Sequence, residues 1–147
     1  MKWIRFAFVL SVAAFLNAAA NDFSGAWKAV FTGPMGERPK MVSEMVFDFK
    51  VDGNEVTGMA HMSDWPGDAP ITTGKIDGDH ITFTVIGKSP WESRSISGVV
   101  TSGYPKLVFD GTLKGDEIDL KLNWGSIMTT GEERSGDEMD MKATKVN

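Results

Sequence analysis

The segment Val51-Asp-Gly-Asn-Glu-Val56 recurs twice in altered form, as Ile76-Asp-Gly-Asp-His-Ile81 and as Leu113-Lys-Gly-Asp-Glu-Ile118. In each copy, a Gly-Asn or Gly-Asp pair is flanked on both sides by a polar residue and then by an apolar one. Glycine accepts the positive φ that two-residue hairpin turns require, so each segment predicts a tight β-hairpin. The chain is therefore expected to consist of repeated hairpins.

Between these turns, apolar and polar residues alternate with a period of two, which predicts strands with one buried and one wet face. Phe47, Phe49 and Val51 share one face of a strand, for example, whereas Asp48 and Lys50 lie on the other. Antiparallel strands joined by short turns predict an all-β, up-and-down barrel, because closure removes exposed edges. The eight predicted strands cover residues 25–32, 41–52, 55–63, 71–77, 80–87, 105–114, 117–125 and 138–146.

The turns also predict how the strands are paired. Counting outward from each turn places a glycine opposite a bulky inward residue: Gly58 opposite Phe49, Gly74 opposite Phe83, and Gly111 opposite Leu120. Glycine weakens a strand, so its recurrence favours strands that curl around a crowded interior, where a missing side chain makes room. The alternative is coincidence in a chain that contains 16 glycines.

The connections between strands alternate between tight and long. Because successive connections of a meander lie at opposite ends, the tight turns are expected to close one end of a cup, with all the long loops at the other. Residues 94–101 fit either an additional strand or part of a loop. The predicted long loops are residues 33–40, 64–70, 88–104 and 126–137.

The N-terminus has the features of a secretory signal. Lys2 and Arg5 precede an apolar run at residues 6–16, and the small residues Ala18-Ala19-Ala20 after it are typical of a cleavage site. We therefore expect residues 1–20 to be a signal peptide and residues 21–147 to form one β-barrel domain. The protein is then expected to be secreted or periplasmic.

The composition of the chain limits the kinds of partner that it is expected to bind. Removal of the expected signal leaves 13 basic and 20 acidic residues, a net charge of −7. This charge disfavours nucleic acid as a partner, and no other apolar run approaches the roughly 20 residues that a membrane span needs. The chain has no cysteine, so the barrel must be stabilised by its core without disulfides.

The segment Phe23-Ser-Gly25-Ala-Trp27, followed by this meander, resembles the Phe-x-Gly-x-Trp motif of lipocalins and the wider calycin group. The whole pattern also looks like small exported bacterial lipocalin-like proteins. The resemblance implies that Trp27 lies at the closed end of an eight-stranded cup, with a basic side chain from the last strand packed over it. Lys145 is the residue in this sequence that matches that basic position.

The residues give little support for catalysis. His61 and His80 are the only histidines, and their spacing is not that of a metal site. His61 with Asp64 and Asp68 could form a weak metal site, although such a set is more often solvated surface. The sequence has no nucleophile elbow and no phosphate-binding glycine loop. We expect neither an enzyme, a cofactor nor a bound metal.

Aromatic residues mark the open end. Trp65, Trp91 and Tyr104 are expected on its loops, and Trp124 is expected to point inward where its strand reaches the mouth. Aromatic side chains that converge on a barrel mouth suit a small apolar or sugar-like ligand, but they are also typical of a lid over a core. The predicted ligand-binding residues are Trp65, Trp91, Tyr104, Trp124, Phe31 and Phe47.

Three functions remain open at this level, since barrels of this kind support all of them. The first is a carrier or scavenger of a small apolar or flat molecule. The second is an interaction or inhibitor module with a filled barrel and functional loops at its open end. The third is a hydrolase or isomerase with a polar site in the cup.

Overall fold

The computed structural model describes residues 23–31, 44–62 and 67–147. Within this part of the chain there are nine strands and no helix, so no helix there is long and apolar enough to cross a membrane. The strands are β1 (Gly25–Phe31), β2 (Glu44–Asp52), β3 (Glu55–Met62), β4 (Ala69–Asp77), β5 (His80–Ile86), β6 (Trp91–Arg94), β7 (Val100–Lys114), β8 (Glu117–Met128) and β9 (Glu133–Lys145).

The sheet closes on itself as an eight-stranded antiparallel barrel. The order of neighbours is β5-β4-β3-β2-β1-β9-β8-β7-β6, and an additional pairing of β5 with β7 completes the ring. Strand β6 pairs with β7 outside this ring. The predicted all-β, up-and-down barrel is thus confirmed, and it is consistent with a lipocalin-like fold.

The three repeated turns have the predicted form. Gly53, Gly78 and Gly115 adopt φ values of 60°, 62° and 67° at the first position of their two-residue loops. The residue after each has no positive φ, which is the pattern of a type II′ turn. The registers that follow from these turns are the predicted ones, with Gly58 paired to Phe49, Gly74 to Phe83 and Gly111 to Leu120.

One of the three strand glycines leaves space for a side chain, and the other two leave space for backbone atoms. A Cβ on Gly111 would lie 2.6 Å from the Leu120 side chain, as expected for a crowded interior. A Cβ on Gly74 would instead lie 2.5 Å from the backbone oxygen of Val56, and one on Gly58 would overlap the backbone oxygen of Asp48. At two of the three positions, therefore, glycine admits the backbone of a neighbouring strand rather than the facing side chain.

Aromatic rings fill the middle of the barrel. Phe47, Phe83 and Phe109 are at most 1% exposed, and their ring centroids lie 4.6–5.1 Å apart. Phe49 stacks on Phe47 at 5.7 Å. Edge-to-face and offset-stacked rings at these distances add to the stability gained from burial. The inward faces of the strands thus meet in one packed core.

Two of the predicted long loops are largely strand, so the prediction of loops there is wrong. Within residues 88–104, β6 forms a hairpin with the start of β7, which begins at Val100 rather than at residue 105. Residues 126–137 are mostly strand, because β8 runs to Met128 and β9 begins at Glu133. Backbone pairing across β7, β8 and β9 satisfies polar groups that a loop would leave to water. The question over residues 94–101 is also answered, since 95–99 form the turn of the new hairpin.

The strands β7, β8 and β9 continue past the barrel at the end opposite the three tight turns, which is the end predicted to be open. We call this part the extension; it comprises β6 and residues 100–105, 125–128 and 133–136. Predicted features at residues 1–22, 33–40 and 63–66, including the signal peptide, lie outside the described residues.

Candidate functional site

The closed end contains Trp27, which pairs with Phe47 on one side and Lys145 on the other. The indole is 1% exposed, and its Nε1–H donates a hydrogen bond to the carbonyl oxygen of Phe23 at 2.8 Å. The Nζ atom of Lys145 lies 5.6 Å from the centroid of the indole ring. An ammonium at this distance from a ring is attracted to its face. This end therefore offers no entrance for a ligand.

Trp124 lies at the base of the extension and faces the interior. Its neighbours in register are the buried Leu107 on β7 and Asp137 on β9. Residues directly opposite one another in antiparallel strands share a face. Trp124 is partly buried and packs against the core.

Trp91 lies on the same inner face, farther out. It pairs with Gly103 on β7, and Gly103 pairs with Met128 on β8. Met128 is four positions beyond Trp124 on β8, which corresponds to about 13 Å along the strand. The two indoles are thus on one face but not in contact.

The strip between the indoles is lined by Met128 and by smaller residues. Gly103 and Pro105 on β7 face inward, and Ser126 lies opposite Pro105 on β8. A Cβ on Gly103 would lie 2.7 Å from the backbone oxygen of Ile127, so a larger residue does not fit there. We call this strip the trough: it has an indole near each end, and Gly103, Pro105 and Met128 within it are buried.

Tyr104 does not line this trough. It is 39% exposed and alternates with the inward residues Gly103 and Pro105, so it lies on the outer face of β7 together with Val108. The placement of Tyr104 at the mouth assumed a loop, whereas the strand begins before it and alternation turns its side chain outward.

The remaining predicted site residues occupy other positions. Phe47 is fully buried in the ring cluster in the middle of the barrel, in register with Trp27. Phe31 is partly buried at the end of β1, where it pairs with Met141. Trp65 lies outside the described residues. The residues that sequence reasoning missed are Gly103, Met128 and Asp137; continuing the alternation of β8 past Trp124 points to Met128.

His61 lies on the outer face of the barrel between two carboxylates. Its Nδ1 is 3.1 Å from Asp68 and its Nε2 is 3.2 Å from Asp48. Asp68 also accepts a hydrogen bond from the backbone N–H of Met62 at 3.2 Å. Both ring nitrogens are engaged, and the described residues contain no group of three or more potential metal ligands. Asp64, the third member of the metal set considered from sequence, is outside the described residues.

The hydrogen bond that the His61 ring makes to the Asp68 carboxylate raises the pKa of His61 above its usual 6.5; partial burial opposes this increase, and the hydrogen bond to Asp48 adds to it. The bond to His61 in turn lowers the pKa of Asp68 below 3.8. A raised histidine pKa gives stability that is present below pH 6.5 and is lost as pH rises through the folded-state pKa. A lowered carboxyl pKa gives stability that is present above 3.8 and is lost as pH falls through its folded-state value.

We therefore expect the melting temperature to fall as pH rises from about 6 to about 8, and His61→Gln to remove most of that fall. Thermal unfolding followed by circular dichroism at each pH measures it. His80→Gln, which changes the other histidine, is the matched control and should keep the wild-type dependence. If the melting temperature of His61→Gln falls with pH as much as that of the wild type, the pH dependence does not come from His61.

Two depressions lie on the outside of the barrel. One, of about 250 Å³, is lined by Glu44, Val46, His61, Met62 and Asp68. The other, of about 480 Å³, crosses β7, β8 and β9. Its lysines are engaged in ion pairs with neighbouring carboxylates, such as Lys114 with Asp119 at 2.9 Å and Lys121 with Glu138 at 3.0 Å. Because opposite charges alternate in this groove, it has no surplus charge with which to select an anion or a cation.

Comparison with known proteins gives no assignment. No family model, no curated protein and no solved structure matches this chain. The case for a function rests on the placement of side chains in the barrel and its extension.

Proposed function

We propose that this protein is an exported, non-enzymatic lipocalin-like carrier or scavenger that binds a small apolar or flat ligand at the open end of its cup. The observation that carries the proposal is the pair of indoles, Trp91 and Trp124, on the inner face of the extension, with Met128 and smaller residues between them. The resemblance of the first strand to lipocalins supports it. Export to the periplasm or the medium, and a bacterial origin, belong to the same proposal.

The position of the ligand follows from the packing. The phenylalanine cluster occupies the middle of the barrel, so the ligand lies above it, against Trp124 and along the trough toward Trp91. Gly103 and Pro105 present little side chain to the trough, which favours a flat molecule over a branched one. Asp137 and Ser126 border the trough and favour a ligand with a polar or cationic edge.

A second candidate function is an interaction or inhibitor module that acts through the open end. It is favoured by the tip of the β6–β7 hairpin, where Ile96 is fully exposed and Val99 is 62% exposed. Exposed apolar residues grouped on one projection are typical of a protein-binding surface. In this case the barrel itself carries no ligand.

A neutral apolar fluorescent dye such as N-phenyl-1-naphthylamine distinguishes the two. We expect it to bind the folded protein, and Trp124→Ala to weaken binding by about tenfold through loss of the ring contact. Fluorescence titration measures both. Tyr104→Ala, which removes an aromatic ring at the same end but from the outer face, is the control and should bind the dye like the wild type. Dye binding that appears only with partial unfolding would rule out the carrier and favour the module.

A further inference from the structure

The outer edge of β6 is unpaired within the part of the chain that the structure describes. Strands β5 and β6 pair with successive stretches of the same edge of β7. Four residues, 87–90, separate β5 from β6, whereas only residues 104 and 105 separate their partners on β7. The surplus residues break the continuity between β5 and β6, and β6 ends the sheet with β7 as its one neighbour.

The hydrogen bonds of the hairpin show which backbone groups face outward. The N–H of Ser95 donates to the carbonyl of Val99 at 2.9 Å. Bonded and non-bonded pairs alternate along an antiparallel ladder, so Ser93 is the next bonded residue of β6. The N–H and C=O groups of Glu92 and Arg94 therefore point away from β7. They form a short edge that is able to accept another strand.

The hairpin turn is well ordered by local bonds. The N–H of Gly98 donates to the carbonyl of Ser95 at 2.9 Å, and the N–H of Val99 donates to the Ser95 hydroxyl at 3.1 Å. The Ser95 and Ser97 hydroxyls are 2.8 Å apart. Gly98 adopts a φ of +84°, as expected for a three-residue loop that ends in a bulge. The turn thus holds the edge of β6 in an extended form and exposes Ile96 beside it.

The charges on the edge of β6 are complementary to those on the same edge of a second copy. Glu92 and Arg94 are both exposed, and they share the outer face of β6 with Ser93 between them. A twofold axis through Ser93 would set Glu92 opposite the partner's Arg94, and Arg94 opposite the partner's Glu92. Short edge strands with charged side chains normally resist pairing with another chain, but in this twofold arrangement each charge on β6 meets its opposite.

We propose that β6 is the contact through which two copies of this chain associate, by antiparallel pairing centred on Ser93. The outward backbone groups of Glu92 and Arg94 supply four hydrogen bonds to the partner, and the two charge pairs fix the register. The edge is short and buries far less than the roughly 1,200 Å² of a stable interface, so the dimer forms only at high concentration.

Charge reversal tests the register. Sedimentation equilibrium of the purified protein over about 10 μM to 1 mM should show a monomer–dimer equilibrium. Glu92→Arg and Arg94→Glu should each lower the association constant by about tenfold or more, because like charges then face one another twice. The double variant should restore it, and a mixture of the two single variants should form a heterodimer. Asp116→Arg, in a turn at the closed end, is the charge-matched control.

A single introduced thiol tests the position of the axis, since the chain has no cysteine. In the proposed pairing Ser93 and the partner's Ser93 form a non-bonded pair with Cα atoms about 4.5 Å apart, within the range for a disulfide. Mild oxidation of Ser93→Cys should therefore yield a covalent dimer. Thr101→Cys, at the neighbouring position on β7, is the control. The two copies of residue 101 would lie three strand spacings apart, about 14 Å in total.

A wild-type protein that stays monomeric over the whole concentration range would overturn the proposal. So would a dimer that is insensitive to both charge reversals, since its contact would then lie elsewhere on the barrel. Equal cross-linking of Ser93→Cys and Thr101→Cys would exclude the twofold pairing at Ser93.

Discussion

Replacing Trp27 with alanine should lower the free energy of unfolding by about 3–5 kcal/mol. The indole is 1% exposed at the closed end, and its ring is covered by the side chain of Lys145. Truncation leaves a cavity and removes the hydrogen bond to Phe23, which holds the residues before β1 against the barrel. Urea denaturation followed by circular dichroism measures the change.

Trp27→Phe is the matched control. It keeps most of the ring but removes the Nε1–H donor, so it should cost about 1–2 kcal/mol, less than the alanine variant. A loss below about 1 kcal/mol for Trp27→Ala would mean that this side chain does not close the barrel.

Replacing Gly111 with valine should destabilise the barrel by about 1–3 kcal/mol through overpacking. A Cβ at this position would lie 2.6 Å from the side chain of Leu120 and 2.9 Å from that of Ile118. Both residues are at most 2% exposed within the core, so they have little space in which to move. Denaturant titration gives the difference in free energy from the wild type.

Thr112→Val separates crowding from strand propensity. Residue 112 is next to Gly111 on β7 but faces away from the core, so valine there should change stability by no more than about 0.5 kcal/mol. If Gly111→Val is neutral or stabilising, the strand preference of valine outweighs crowding, and Gly111 is not making room for Leu120.

The barrel was predictable because its determinants are local. Each two-residue turn fixes the register of the strands that leave it, and one wet and one buried face give β2, β5, β7 and β8 a clear alternation. The packing of Gly74 was not predictable, since the backbone of Val56 that approaches it belongs to β3, outside the β4–β5 hairpin. Gly58 meets the backbone of Asp48 within its own hairpin, and its φ of +134° is a departure from regular strand geometry that the register alone does not predict.

The β9 part of the extension was missed because its residues do not alternate. Residues 133–138 are exposed on both faces, and Arg134-Ser-Gly-Asp137 has the composition of a loop. What makes this segment a strand is its pairing with β8, a non-local contact that composition does not report. The error carried over to the site: Tyr104 was assigned to the mouth as a loop residue, whereas the strand turns it outward.

The most direct test of the ligand site is to follow the tryptophan indole N–H resonances of ¹⁵N-labelled protein while the dye is added. The account predicts that the signals of Trp124 and Trp91 shift in a saturable manner. The signal of Trp27, buried at the closed end and bonded to Phe23, should stay in place. If Trp124 and Trp91 do not shift, or if the Trp27 signal moves with them, the ligand does not bind in the trough at the open end.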